Sequence, residues 1–122
     1  SVVATNRYPK DQRDTLTRVV RGYISGAYLA LSDEKKAKEV IAQKFKTRDP
    51  KVIDATYSDF KRLMPRDAAP SPDGAKNVLA QLQAIGIEVG SKNIDDYLDL
   101  SIIQKLKQDG FFAQLEKTYP IN

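Results

Sequence analysis

The chain has 122 residues, 41% of them hydrophobic, which suits one domain with its own core rather than a disordered tail. It contains no cysteine and no histidine, which excludes a disulfide framework, a thiolate zinc site, a cysteine nucleophile and the commonest acid–base group. The net charge is +4 and uneven, with 11 basic against 5 acidic groups in residues 1–48 and 9 against 11 in the remainder, but the charges are interspersed and read as solvated helix faces rather than a nucleic-acid footprint.

No apolar run approaches the roughly 20 residues that a membrane-spanning helix requires. No charged n-region followed by an apolar h-region opens the chain, so an export signal is expected to have been removed or to lie upstream. Residues 1–6 (SVVATN) are short, β-branched and apolar, which predicts a buried strand ended by Arg7-Tyr8-Pro9. Such a strand has no obvious partner here, since only residues 87–89 offer another extended segment. It is therefore expected to complete a sheet elsewhere, most simply against a second copy in a homodimer.

Over residues 10–31 the apolar positions Leu16, Val19, Val20, Tyr23, Ile24, Ala27, Tyr28 and Leu31 recur at three- and four-residue steps and predict a long helix with one buried stripe. Gly22 and Gly26 lie four apart within it. Each costs roughly 1 kcal/mol of helix stability relative to alanine, so close packing of another backbone is expected to compensate.

Ser32, followed by Asp33 and Glu34, reads as the N-cap of a second helix that buries Ala37, Val40, Ile41 and Phe45. Asp49-Pro50 starts a third, with Val52, Ile53, Thr56, Tyr57, Phe60, Leu63 and Met64 as its apolar stripe. The proline-rich residues 65–72 can hold no regular element and read as a surface linker.

Ser71-Pro72 caps a fourth helix with buried positions Val78, Leu79, Leu82 and Ile85, closed by Gly86 in the left-handed conformation. Asn93 caps a brief turn. Leu100, Ile102, Ile103 and Leu106 mark a further helix, and Gly110 separates it from a last one carrying Phe111, Phe112 and Leu115.

Chemistry is sparse. Asp95, Asp96 and Asp99 form an acidic group, but they lack the glycine turn and bidentate glutamate of a calcium loop and are expected to cap short helices. No nucleophile with its base and oxyanion donors can be assembled, so no enzymatic activity, metal or cofactor is expected. The candidate ligand contacts are Asn6, Arg7 and Tyr8, at the C-terminal end of the expected strand, where open α/β sheets place their ligand crevice. The same three residues also read as a plain strand-to-helix turn.

The order of these segments carries a resemblance. A strand ending Val-Ala-Thr-Asn-Arg-Tyr precedes a long helix containing Arg-Val-Val-Arg-Gly-Tyr-Ile-Ser-Gly. The stretch from Tyr57 to Pro65, the Pro70-Ser71-Pro72 loop, Tyr97-Leu98-Asp99-Leu100-Ser101 and Gln108-Asp109-Gly110-Phe111 follow it. Together these resemble the C-terminal part of the NMT1/THI5-like solute-binding proteins, of the nitrate, sulfonate, taurine and pyrimidine-precursor type. Gly22 stands where that family usually has alanine, and Ser25 where an acid is common.

The resemblance implies a mainly α segment with one N-terminal β-strand, forming the C-terminal portion of a type II periplasmic-binding-protein α/β lobe. It also implies an extracytoplasmic protein that captures a small solute without catalysis and delivers it to the membrane subunits of an ATP-driven importer. The chain would then be less than half of a two-lobed parent. The other reading the residues leave open is a helical protein–protein interaction module with no small-molecule ligand.

Overall fold

Helix α1 (Arg13–Ser32) organises the computed structural model, which describes Val2 and residues 12–121. Its residues Val20, Ile24, Ala27, Tyr28 and Leu31 are buried. These positions recur at the three- and four-residue steps that bring side chains to one face of a helix. Five further helices follow: α2 (Glu34–Phe45), α3 (Pro50–Leu63), α4 (Pro72–Ala84), α5 (Ser101–Gln108) and α6 (Phe111–Thr118), with a 3₁₀ turn at Ile94–Asp96.

The core lies where α5 and α6 meet α1. Val20, Ile24 and Tyr28 of α1 join Ile102, Ile103 and Leu106 of α5 and Phe111 and Leu115 of α6 in one buried cluster. Ile24 and Leu106 are its most completely enclosed side chains. Burial of each such aliphatic side chain stabilises the fold by about 1.5–3 kcal/mol. Gly110, at φ +76°, turns the chain sharply between α5 and α6 so that Phe111 enters this cluster directly.

Helices α2 and α3 pack against each other, and α2 packs against α1. Their ends follow local chemistry. Asp33 caps α2 by accepting from the Lys36 N–H at 2.9 Å, and Asp49 caps α3 by accepting from the Lys51 N–H at 2.9 Å, with Pro50 at the first helical position. Ser32, expected to cap α2, instead ends α1, and its hydroxyl donates to the Leu29 carbonyl. The aspartate takes the cap because its carboxylate is the stronger acceptor at the positive end of the helix.

The chain from Pro65 to Ser71 is irregular, as its prolines require, but it does more than link. Ala68 and Ala69 pack against the core cluster, and Lys107 of α5 donates to Asp67 at 2.9 Å. Beyond it Ser71 caps α4, accepting from the Gly74 N–H at 3.1 Å. Gly86, at φ +77°, closes that helix in a Schellman turn, with Ile87 N–H bonded to the Leu82 carbonyl and Gly86 N–H to that of Gln83.

The expected α/β character is corrected. No strand and no sheet occur among the described residues, and Val2 is irregular. The rest of residues 1–6 lies outside the described residues. The only internal segment expected to be extended, residues 87–89, is irregular too, so the described chain offers no ladder against which a strand could satisfy its amides.

Readings of all of the first four helices also change. Val40 and Phe45 of α2 and Val52 and Leu63 of α3, expected on the buried faces, are exposed, and only Ala37 and Tyr57 of these two helices are buried. Val19 and Tyr23 are 52% and 41% exposed, so α1 does not bury a single stripe, and α4 contains no buried residue although four were expected.

Leu106→Ala is expected to lower the unfolding free energy by about 2–5 kcal/mol, because the site is enclosed by three helices that cannot collapse onto the void. Urea denaturation followed by helical circular dichroism measures this. A loss below about 1 kcal/mol would show that the cluster is not the stabilising core.

Candidate interaction surface

Asn6, Arg7 and Tyr8, the candidate ligand contacts, lie outside the described residues. The acidic group is placed. Asp99 accepts from the Ser101 N–H at 2.9 Å at the start of α5, Asp96 accepts from the Ser91 hydroxyl, and Asn93 caps the 3₁₀ turn through the Asp95 N–H at 3.1 Å. No three metal-ligating side chains converge among the described residues. What the fold gathers instead is apolar surface.

Helix α1 presents a second apolar face. Val19, Gly22, Tyr23 and Gly26 occupy successive turns and all are exposed. A Cβ placed on Gly22 or Gly26 would meet no atom within 4 Å, so the close backbone approach expected at these glycines is absent among the described residues. Toward its C-terminal end this face opens into a cleft of about 260 Å³. Gly26, Leu29 and Ala30 of α1 line one side, Ala37, Val40 and Ile41 of α2 another, and Phe60 of α3 the third; Lys36 brings the cation at its rim.

The cleft walls are tied to one another by side-chain contacts. The ammonium of Lys38 on α2 bridges Glu34 of its own helix and Asp54 of α3, the latter at 2.8 Å, and these two carboxylates, Asp54 above all, push its pKa upward. The same ammonium lies over the Tyr57 ring at 5.6 Å. Buried Tyr57 donates its hydroxyl to the Ala30 carbonyl of α1 at 3.3 Å, and burial raises its pKa.

A second surface belongs to α4. Val78, Gln81, Leu82, Ala84 and Ile85 line an open hollow of about 370 Å³ on one side of the helix. Val78 is 54% and Ile85 71% exposed. The helix leans chiefly on the 3₁₀ turn, where the Tyr97 hydroxyl accepts from the Ser91 N–H at 2.8 Å and donates to the Ser91 carbonyl at 3.1 Å.

Charge is confined to the periphery: no polar or charged residue is buried among the described residues. Arg21 lies over the Phe111 ring at 4.7 Å and Lys107 over Phe112 at 6.0 Å, so cations cover the aromatic end of the core. The Lys107 ammonium holds the Asp67 carboxyl below its ordinary value. The Ser101 hydroxyl and amide do the same for Asp99, with Arg13 of α1 adding to the effect. This last group ties the start of α1 to the start of α5.

No family model, curated protein or solved structure matches the chain. The exposed second face of α1 was missed because its residues share the apolar three- and four-residue spacing of the buried face. The available signal was the width of the apolar arc together with two glycines that nothing in the helix itself requires.

The Asp67–Lys107 pair sets a pH dependence. A carboxylate with a depressed folded-state pKa stabilises the fold above its unfolded pKa of about 3.9, and that contribution is lost as pH falls through the folded value. Asp67→Asn is therefore expected to lower the urea midpoint at pH 7, modestly because the pair is partly solvated, and the gap between the two proteins should begin to close as pH falls below about 4. A gap that stays constant from pH 7 to pH 3 would contradict the role given to the ion pair.

Proposed function

We propose that this chain is the C-terminal part of an extracytoplasmic solute-binding protein, serving an ATP-driven importer of the nitrate, sulfonate, taurine and pyrimidine-precursor type. In this reading it contributes to small-solute capture without catalysis and without a cofactor. Its partners are the solute and the importer's membrane subunits. The single observation that carries the reading is the surplus of apolar surface on α1 and α4. One helix exposes a full second apolar face and another buries nothing, as elements of a larger protein do when the surfaces that cover them lie elsewhere. The order of segments along the chain, which resembles the tail of that family over essentially its whole length, supplies the class.

The helical segment on its own lacks any group suited to reaction chemistry: its carboxylates are solvated, capped or ion-paired, and no histidine or cysteine is present. Capture rather than turnover fits these side chains. A second reading, a helical module that holds a partner protein, is favoured by one feature, the preformed cleft between α1, α2 and α3.

An antibody raised against this chain separates the two. Immunoblots of the extracytoplasmic fraction of cells that make the protein are expected to reveal a polypeptide of more than twice 13.7 kDa. A species of 13.7 kDa alone, retained in the cytoplasmic fraction, would overturn the solute-binding reading and leave the interaction module.

A further inference from the structure

The chain holds one sulfur atom. It has no cysteine and a single methionine, Met64, so two-electron oxidation at sulfur falls on this residue alone. Met64 ends α3 as its C-cap, with its N–H bonded to the Phe60 carbonyl at 2.9 Å. The residue is half-buried and stands outside the core cluster, so a small oxidant can reach it and a polar product does not enter the core.

The sulfur has a partner. The Tyr23 hydroxyl of α1 donates to Met64 Sδ at 3.8 Å. Among the described residues one other side-chain hydrogen bond joins α3 to α1, from the Tyr57 hydroxyl to the Ala30 carbonyl at 3.3 Å. Tyr23 and Ala30 are seven residues apart, as are Tyr57 and Met64, so the two bonds fasten the helices at points about two turns apart. These fastenings are unequal. A carbonyl oxygen is a full acceptor, whereas a thioether sulfur is a weak one, which leaves the Tyr23 end the looser of the two.

Oxidation changes the acceptor. The sulfur lone pair attacks one oxygen of hydrogen peroxide: an S–O bond forms, the O–O bond breaks, sulfur loses two electrons to the peroxide, and the expelled hydroxide takes the proton of the transferred oxygen and leaves as water. The product carries a polarised oxygen beside the same hydroxyl. Methionine's unbranched side chain turns about three bonds and can present that oxygen to it.

We propose that Met64 is an oxidation site whose sulfoxide is held by Tyr23, so that an oxidant of the peroxide class strengthens the tie between α3 and α1. Phe60, whose carbonyl accepts from the Met64 N–H, walls the cleft, so the strengthened tie secures that wall. The contact lies wholly within the chain and does not rest on the proposed transport role.

Hydrogen peroxide applied to the native full chain tests it. Mass spectrometry counts the oxygens taken up, and urea unfolding followed by circular dichroism gives the folding equilibrium constant. Tyr23→Phe keeps the ring at an exposed position and removes only the hydroxyl. The native chain is expected to gain one oxygen, at Met64, and Met64→Leu none. Oxidation should raise the folding constant of the wild type relative to that of Tyr23→Phe by about fivefold, the gain of one neutral hydrogen bond.

A second comparison reads the same contact without peroxide. Met64→Gln supplies an amide oxygen of similar reach, and adding Tyr23→Phe should cost this variant about fivefold more in folding constant than it costs the wild type. A chain that resists peroxide until it is unfolded, an oxidation effect equal with and without the Tyr23 hydroxyl, or a Met64→Gln chain indifferent to that hydroxyl would each overturn the proposal.

Discussion

The buried cluster that gathers Ile24 of α1 and Leu106 of α5 is the constraint on which the remaining structure depends. These are the two most completely buried side chains, and the residues around them come from the three helices that form the core. Because α5 and α6 are only eight residues long, neither is stable in isolation, and their helicity is maintained by what they bury against α1. The linker then follows: Ala68 and Ala69 have an apolar surface to lie on only once α5 and α6 are in place, and Lys107 can reach Asp67 only from a formed α5.

That arrangement occupies one side of α1. The other side, with Val19, Gly22, Tyr23 and Gly26, is left exposed, with two helix-weakening glycines that no described atom approaches; Tyr23 reaches Met64 through its hydroxyl. Helix α2 shelters the end of this face, and the gap between them, walled by α3, is the cleft. The fold therefore separates two tasks along a single helix: one face makes the chain cohere, and the other, together with α4, is available for contact with something else. Peripheral charges reinforce the division, since the cations over Phe111 and Phe112 close off the core side.

Much of this was legible in the residues. Asp49-Pro50, Ser71-Pro72, Asn93, Gly86 and Gly110 announce caps and turns through chemistry that acts within a few residues, and each does so where expected. Periodicity gave the core positions of α5 and α6 for the same reason. It could not say which apolar residues of α1 face inward, because Val19 and Val20 satisfy the same spacing and only the location of α5 and α6 distinguishes them. Burial on α4 was misjudged on the same ground: an apolar stripe reports a capacity to be covered, and the cover is a property of the tertiary structure. The strand expected at residues 1–6 was drawn from β-branched composition, which is a weak guide without a ladder to join. Of the candidate site, the apolar helix faces were visible as stripes, whereas the cleft was not, since it depends on three helices meeting.

The central claim is that α1 has one face that holds the fold and another that does not. Placing the same charge on adjacent residues of this helix examines it most directly, because helix propensity is then matched and only the facing differs. Equilibrium urea unfolding of Val20→Asp and Val19→Asp is the measurement. The account predicts that Val20→Asp, which forces a carboxylate into the core, costs several kcal/mol or prevents folding, while Val19→Asp stays within about 1 kcal/mol of the parent chain. Equal destabilisation by the two substitutions would contradict it.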